Sequence, residues 1–121
     1  DIEGENPLYL PQAKVYDRCC SIGPCVVGAG GVDDPHDLEM SMRIERDGET
    51  VYDDATSTAE MARSCEELAD YWRAHNTALA LGVLLTGTSL VPEGAFTLRP
   101  GDPVRIDIEG IGELVNPVVG V

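Results

Sequence analysis

The sequence contains a single lysine, Lys14, among its 121 residues. Lysine and arginine together number only 8 against 22 acidic residues, and the net charge is -14. This shortage of basic side chains argues against nucleic acid as a partner, because phosphates demand a basic surface, and against anionic membranes. Extreme acidity also causes self-repulsion, which high salt screens. The composition is therefore typical of a protein adapted to a salt-rich cytosol.

The sequence also lacks the cysteine spacing of a zinc site and any long apolar run. Its four cysteines are Cys19, Cys20, Cys25 and Cys65. We predict that they are free, small and mostly buried residues in a reducing compartment, which favours a cytoplasmic protein. The longest apolar run, residues 78–85, is too short to span a bilayer, and no signal peptide is predicted.

The one lysine is the first candidate for a catalytic residue. Lys14 ends the segment Asn6-Pro-Leu-Tyr-Leu-Pro-Gln-Ala-Lys14. Lysine provides what arginine cannot, a compact and mobile charge whose pKa can be tuned for acid/base work. The alternative is an ordinary surface lysine that survived by chance.

Alternating apolar and polar residues predict a half-buried strand over residues 39–46. Its apolar face consists of Met40, Met42 and Ile44. Asp47-Gly48 then predicts a hairpin turn of type I′, because both of its central residues need positive φ. The returning strand is expected over residues 49–52.

Further strands follow from the same kind of pattern. Residues 103–109 alternate in the same way, a turn follows at 110–112, and 113–119 return as the partner strand. Two short apolar runs, 22–27 and 83–86, are predicted as buried strands, and Arg99-Pro-Gly-Asp102 as a turn.

One helix is predicted, over residues 64–76. Ser64 and Glu67 match a capping box, in which the two side chains satisfy free N–H groups. The helix's apolar face is predicted to comprise Leu68, Tyr71, Trp72, His75 and Leu79. Because strands outnumber helices and the hairpins are antiparallel, we predict a β-rich α+β fold with one main helix.

Two short segments could bind a ligand. Thr86-Gly87-Thr88 follows a predicted strand, and such a loop can present hydroxyl and backbone N–H groups to an anion. His36 lies among Asp33, Asp34 and Asp37 and could bind a metal, but the spacing matches no known ligand pattern. A solvated acidic loop is the preferred interpretation for His36.

The order of several short motifs resembles one enzyme superfamily. The series comprises Lys14, Gly23-Pro24, Asp34-Pro-His-Asp-Leu38, the Asp47-Gly48 hairpin, Thr86-Gly-Thr88, Pro100-Gly-Asp102 and Ile108-Glu-Gly-Ile-Gly-Glu-Leu-Val-Asn-Pro117. Together they resemble the C-terminal half of the fumarylacetoacetate hydrolase superfamily. The segment from Gly4 to Lys14 is similar to that of the archaeal 2-keto-3-deoxypentonate dehydratases.

The resemblance implies a fold in which mixed and antiparallel sheets form a β-roll. It also implies Mg²⁺ bound by a Glu-x-Glu pair and an Asp, all upstream of the family's lysine. Glu3-Gly-Glu5 has the pair's spacing but stands on the wrong side of the expected segment, so no metal ligand is assigned in this chain. We therefore expect residues 1–121 to be the C-terminal portion of a catalytic domain whose metal-ligand segment is absent here.

The implied reaction is dehydration of a 2-keto-3-deoxypentonate to 2,5-dioxopentanoate. The resemblance makes Lys14 the acid/base or enolate-stabilising group. It assigns the substrate carboxylate to Thr86, Gly87 and Thr88, and contacts with the sugar-acid hydroxyls to Gln12 and Tyr9. Homo-oligomers are common in the family, and the C-terminal strand 115–121 would be either part of such an interface or, as preferred, a buried core strand.

Two other interpretations stay open. The parent could be another member of the superfamily that hydrolyses a C–C bond or decarboxylates an oxaloacetate-type acid. The chain could also be an inactive fragment or an interaction domain built on the same fold. Identification of the product distinguishes another superfamily activity from dehydration. Metal binding by the isolated chain tests the inactive-fragment or interaction-domain interpretation.

Overall fold

The computed structural model describes residues 7–9, 11–77 and 80–120, and its main feature is one four-stranded antiparallel sheet. The regular elements are β1 (Glu39–Arg46), β2 (Glu49–Ser57), α1 (Cys65–Arg73), β3 (Pro103–Ile108) and β4 (Gly112–Pro117). The strand order is β2-β1-β3-β4. The β-rich α+β class is thus confirmed, although this sheet is open and all its described pairings are antiparallel. Predictions that involve residues 1–6 or Leu79 lie outside the described residues.

The first hairpin forms at the predicted place. Asp47 and Gly48 have φ of 52° and 83°, as a type I′ turn requires. Strand β2 continues to Ser57, five residues beyond the prediction, and the Thr58 N–H then donates to the Leu38 carbonyl at 2.9 Å. The second hairpin, β3–β4, also forms close to its predicted bounds.

The sheet has one apolar and one charged face, because side chains alternate along each strand. On the apolar face Met40 lies opposite Ile108, and Ile44, which is 2% exposed, lies opposite Val104. The charged face carries ion pairs between neighbouring strands. These are Arg43–Asp53 at 2.9 Å, Arg105–Glu113 at 3.3 Å and Arg105–Glu45 at 3.6 Å.

A buried ion pair fixes the loop that leads into β3. Asp102 is 3% exposed, and its carboxylate accepts hydrogen bonds from Arg46 Nη2 at 2.7 Å and from the Arg99 N–H at 2.8 Å. The hydrogen bond from Arg46, opposed in part by burial, lowers the pKa of Asp102 below its ordinary value. Arg46 also donates to the Thr97 carbonyl at 2.8 Å, so one guanidinium links β1 to the segment before the turn.

Helix α1 begins as predicted but ends earlier. Ser64 Oγ accepts the Glu67 N–H at 3.1 Å, which is half of the predicted capping box. The helix ends at Arg73, and Asn76 Nδ2 donates to the Trp72 carbonyl at 2.9 Å. His75 is therefore exposed beyond the helix with φ of 60°, and its predicted place on the helix was wrong. No helix in the described part of the chain has the length and apolarity that crossing a membrane requires.

Four predictions of burial were wrong. Residues 22–27 and 83–86 form no strand, and Val26 is 92% exposed. Cys19, Cys20 and Cys25 are free as predicted but exposed. The C-terminal segment forms an edge strand, β4, with Val115 40% exposed. Residues 22–27 and 83–86 have apolar sequences, but the described residues provide no strand that pairs with them. Strand β4 pairs with β3 on one side only.

Candidate functional site

A cavity of about 520 Å³ opens on the apolar face of the sheet, at the end marked by Met40 and Ile108. Its walls come from β1, β2, β3, the start of α1 and residues 86–89. The apolar lining includes Leu38, Met40, Met61, Leu68, Ile108 and Ile111, and the hydroxyl lining Thr56, Ser57, Thr58, Thr86, Thr88 and Ser89. A concave site of this size, apolar with a few polar groups, is typical for a small-molecule ligand.

The loop of residues 86–89 is fixed at this cavity by its own contacts. Leu90 is 6% exposed and anchors the loop in the core. Thr88 Oγ1 accepts the Leu90 N–H at 3.0 Å, and Ser89 Oγ lies 3.1 Å from Thr56 Oγ1 on β2. Gly87 has φ of 87°, a conformation that residues with a Cβ rarely adopt. The loop is therefore joined to the sheet through Ser89 and to the core through Leu90.

The same loop has hydrogen-bonding groups that have no partner among the described residues. Within the part of the chain that the structure describes, no N–H group of residues 86–89 donates to another residue. The Thr86 hydroxyl also has no hydrogen-bond partner among the described residues. Donors of this kind at a cavity can bind a carboxylate or another anion.

Lys14, Gln12 and Tyr9 lie elsewhere. Gln12–Lys14 form a single 3₁₀ turn, in which the Lys14 N–H donates to the Pro11 carbonyl at 3.2 Å. The Lys14 carbonyl accepts the Cys19 thiol at 3.2 Å, and the side chains of Gln12 and Lys14 are exposed. Tyr9 is 48% exposed. None of the three is among the residues that line the cavity, so their catalytic and binding roles stay predictions.

Charge at the cavity is sparse. Of the described lining residues, Glu60 and Arg63 carry the only formal charges. Near the start of α1, Glu66 Oε2 lies 3.4 Å from His36 Nε2. A hydrogen bond from its own backbone N–H, with smaller contributions from the Ser64 hydroxyl and His36, lowers the pKa of Glu66.

The described residues do not form a metal site. No three His, Cys, Asp or Glu side chains among residues 7–9, 11–77 and 80–120 converge on one point. His36 instead lies in a turn whose backbone is fixed by the Asp34 carboxylate, which accepts the His36 N–H at 2.8 Å. The preferred sequence interpretation of this segment, a solvated acidic loop, stays a prediction.

The apolar walls and Arg63 were not identified from the sequence as site residues. Met61 and Arg63 follow β2 in a segment without regular periodicity, and only the fold brings them to the same cavity as Thr86 and Thr88. The only sequence feature that could have drawn attention to Arg63 was its position directly before the helix cap at Ser64.

Sequence comparison identifies relatives of this chain. Residues 2–119 match the family model described as Fumarylacetoacetate (FAA) hydrolase C-terminal. The chain is 70% identical over 120 residues to a probable 2-keto-3-deoxyxylonate dehydratase of Haloferax volcanii, covering 99% of this chain and 42% of that protein. It is 38% identical to the 2-dehydro-3-deoxy-D-arabinonate dehydratase of Saccharolobus solfataricus, covering 98% of this chain and 40% of that one.

Solved structures give the same result. The fold matches 2-keto-3-deoxy-D-arabinonate dehydratase complexed with magnesium and 2,5-dioxopentanoate, with a TM-score of 0.93 and 38% identity. That match covers 97% of this chain and 42% of the other. The apo form of 2-keto-3-deoxy-D-arabinonate dehydratase matches with a TM-score of 0.83 and 34% identity. The chain thus spans about two fifths of the length of these relatives, and the resemblance predicted from its motifs is confirmed.

Proposed function

This chain belongs to the fumarylacetoacetate hydrolase family, and on that premise we propose that it is the C-terminal part of a 2-keto-3-deoxypentonate dehydratase. The observation that carries the proposal is 70% identity to the Haloferax protein over nearly the whole chain. The close fold match to a dehydratase that contains 2,5-dioxopentanoate supports the same substrate class. A hydro-lyase of this kind removes water from a five-carbon 2-oxo acid and leaves 2,5-dioxopentanoate.

The reaction requires one proton to leave C3 and the hydroxyl to leave C4, after which tautomerisation gives the C5 aldehyde. We assign the proton transfer at C3, or stabilisation of the enolate that it forms, to Lys14, because an amine can exchange protons and carry a compact charge. Gln12 and Tyr9 are assigned to the hydroxyl groups of the substrate. In this proposal the full-length protein brings the Tyr9–Lys14 segment and the cavity to the same substrate.

The loop of residues 86–89 is assigned to the substrate carboxylate. Its N–H groups and the Thr86 hydroxyl are available, and its position is fixed by Leu90 and by the contact between Ser89 and Thr56. Charge-assisted hydrogen bonds from such groups are stronger than neutral ones, so a few of them can orient the acid. The apolar walls at Met40 and Ile108 would exclude water from the opposite side.

Mg²⁺ is proposed for the full-length enzyme, where it would supply polarisation of the substrate carbonyl when bound. The described residues lack a converging set of ligands, so the ligands of that ion lie outside them. We also place the full-length enzyme in a salt-rich cytoplasm as a homo-oligomer. The net charge of -14 supports the salt-rich setting, since salt screens the repulsion among the acids.

Product identification tests this function. The protein expressed from its complete gene is incubated in high salt with Mg²⁺ and 2-keto-3-deoxypentonate, and the products are separated. We expect 2,5-dioxopentanoate, and we expect a chelator to abolish it. Cleavage of acylpyruvates or decarboxylation of oxaloacetate, with no conversion of the pentonate, would keep the family and exclude dehydration; no turnover of any of them would favour a non-enzymatic role.

A further inference from the structure

The cavity has one cationic side chain among its described lining residues, Arg63. The only other formal charge in that lining is Glu60. A substrate acid is an anion, and the chain as a whole carries a net charge of -14 that repels it. Positive charge at the cavity would offset this repulsion, and among the described lining residues it comes from Arg63.

The guanidinium of Arg63 is also less committed than those of Arg43 and Arg46. Its nearest acid is Glu67, with Nε to Oε1 at 3.7 Å, and the side chain of Arg63 is 61% exposed. That distance is longer than a hydrogen bond, and an exposed pair of this kind contributes little to stability. By contrast, Arg46 donates to Asp102 at 2.7 Å and Arg43 to Asp53 at 3.0 Å. Arg63 can therefore turn its donors to a ligand without breaking a strong contact.

The backbone at Arg63 is fixed by the elements on both sides. Ser64, the next residue, caps α1 through its contact with the Glu67 N–H. Cys65 and Leu68 on the same helix line the cavity, as Met61 does before it. The backbone of Arg63 thus stands directly before a capped helix, and the planar fork of a guanidinium matches the geometry of a carboxylate.

We infer that Arg63 is the specificity residue of this cavity, where it pairs with the carboxylate of a small 2-oxo acid and selects acids over their neutral analogues. This inference rests on the proposed function for the substrate class. It adds a guanidinium to the N–H and hydroxyl groups of residues 86–89. Arg63 takes no part in proton transfer, so its effect falls on binding.

The test compares Arg63→Gln with Arg73→Gln in the protein expressed from its complete gene, with Mg²⁺ and at constant high salt. Both changes remove one positive charge, but Arg73 lies at the end of α1, pairs with Asp70 at 3.3 Å and does not line the cavity. Binding of pyruvate and of neutral pyruvamide is measured by calorimetry, and KM and kcat are measured with the pentonate.

We expect Arg63→Gln to weaken pyruvate binding and to raise KM about tenfold to a hundredfold, the range of a charge-assisted contact. The affinity for pyruvamide and the value of kcat should each change by less than about twofold. Arg63→Lys should recover part of the loss, since it keeps the charge but not the fork. Arg73→Gln should behave as wild type.

The outcomes separate this inference from the proposed function. If the wild type produces 2,5-dioxopentanoate while Arg63→Gln keeps a normal KM and pyruvate affinity, the role of Arg63 is wrong and dehydration stands. If the wild type does not convert the pentonate but Arg63→Gln selectively loses pyruvate, the cavity binds acids and dehydration is wrong. Equal losses in Arg63→Gln and Arg73→Gln would show a general charge effect and overturn the inference.

Discussion

The sheet and the apolar segments outside it differ in how well the fold covers them. Ile44, on the apolar face of β1 and opposite Val104, is 2% exposed. In the segments at 22–27 and 81–85, Val26 is 92% and Leu81 87% exposed although both are aliphatic. Apolar composition alone therefore does not decide burial in this chain, because Val26 and Leu81 are exposed in segments that form no strand.

The accessible surface as a whole agrees with this contrast. The chain exposes 9273 Å², whereas a compact monomer of its mass is expected to expose about 6,300 Å².

The residues of the candidate site lie partly on the sheet and partly in the exposed segments. The cavity is built on the well-packed sheet, and Lys14 lies in the sparsely covered N-terminal segment. We therefore expect changes in the sheet to affect stability and changes at Lys14 to affect turnover.

Of the variants described, Lys14→Arg should have the greatest effect. It tests the exposed N-terminal segment, where the proposed catalytic residue lies. If Lys14 handles the C3 proton, a bulky and permanently charged guanidinium cannot replace it. Turnover by the protein expressed from its complete gene should fall by about 100-fold or more. The midpoint of urea unfolding should change little, because the side chain is exposed.

Arg73→Lys is the matched control for that change. It exchanges the same two residue types in the opposite direction at an exposed helical position, and it should leave both turnover and stability unchanged. Near-normal turnover by Lys14→Arg would remove Lys14 from the mechanism. A large loss of stability would instead assign the lysine to the fold.

The sheet could be predicted from the sequence because its signals are local. Alternation in residues 39–46 and positive φ at Asp47-Gly48 depend on neighbours along the chain, and both hairpins appeared where expected. The run at 22–27 was misjudged because apolar composition reports a tendency to be buried and not the presence of a partner. The length of β2 was underestimated because its polar residues, such as Asp53 and Asp54, stay exposed.

Ile44→Ala against Val26→Ala tests the structural side of the comparison. Removing a fully buried isoleucine side chain costs the transfer free energy of its methyl and methylene groups and leaves a cavity. We expect Ile44→Ala to lower the free energy of unfolding by about 3 kcal/mol, measured by urea denaturation. Val26→Ala should change it by less than about 0.5 kcal/mol. A large cost at Val26 would show that another part of the full-length protein covers this segment.

The pH dependence of stability tests the Arg46–Asp102 pair within the sheet. Since Arg46 lowers the pKa of Asp102 in the folded chain, the ionised carboxylate favours folding. This contribution is present at pH values above the ordinary pKa of 3.8 and is lost as the pH falls through the lower folded value. Asp102→Asn should therefore be destabilised at neutral pH, and its stability should decline less on acidification.

Asp53→Asn is the control for that measurement, because its pair with Arg43 is about half exposed and should contribute little. Urea midpoints between pH 7 and pH 3 follow both variants. If the stability of Asp102→Asn declines with acid as steeply as that of the wild type, other carboxylates govern the acid response.

The candidate site could be predicted only in part, because its walls come from segments that are far apart in the sequence. Thr86-Gly87-Thr88 carries a local signal, small residues after an apolar run, and the structure places it at a cavity. The opposite walls come from β1, β3 and the segment before α1, which are distant in sequence. Tertiary packing brings Arg63 and Thr88 to the same cavity, and no spacing rule connects them.

The smallest expected effect concerns the hydroxyl of Thr86. Thr86→Val keeps the shape of the side chain and removes a group that makes no hydrogen bond within the described residues, so stability should be unchanged. If that hydroxyl binds the substrate carboxylate, KM for the pentonate should rise about tenfold with kcat little altered. Thr50→Val, at an exposed position in β2, is the matched control and should have no effect. An unchanged KM in Thr86→Val would confine carboxylate binding to the N–H groups of the loop, whereas a loss of stability would show that the hydroxyl serves the fold.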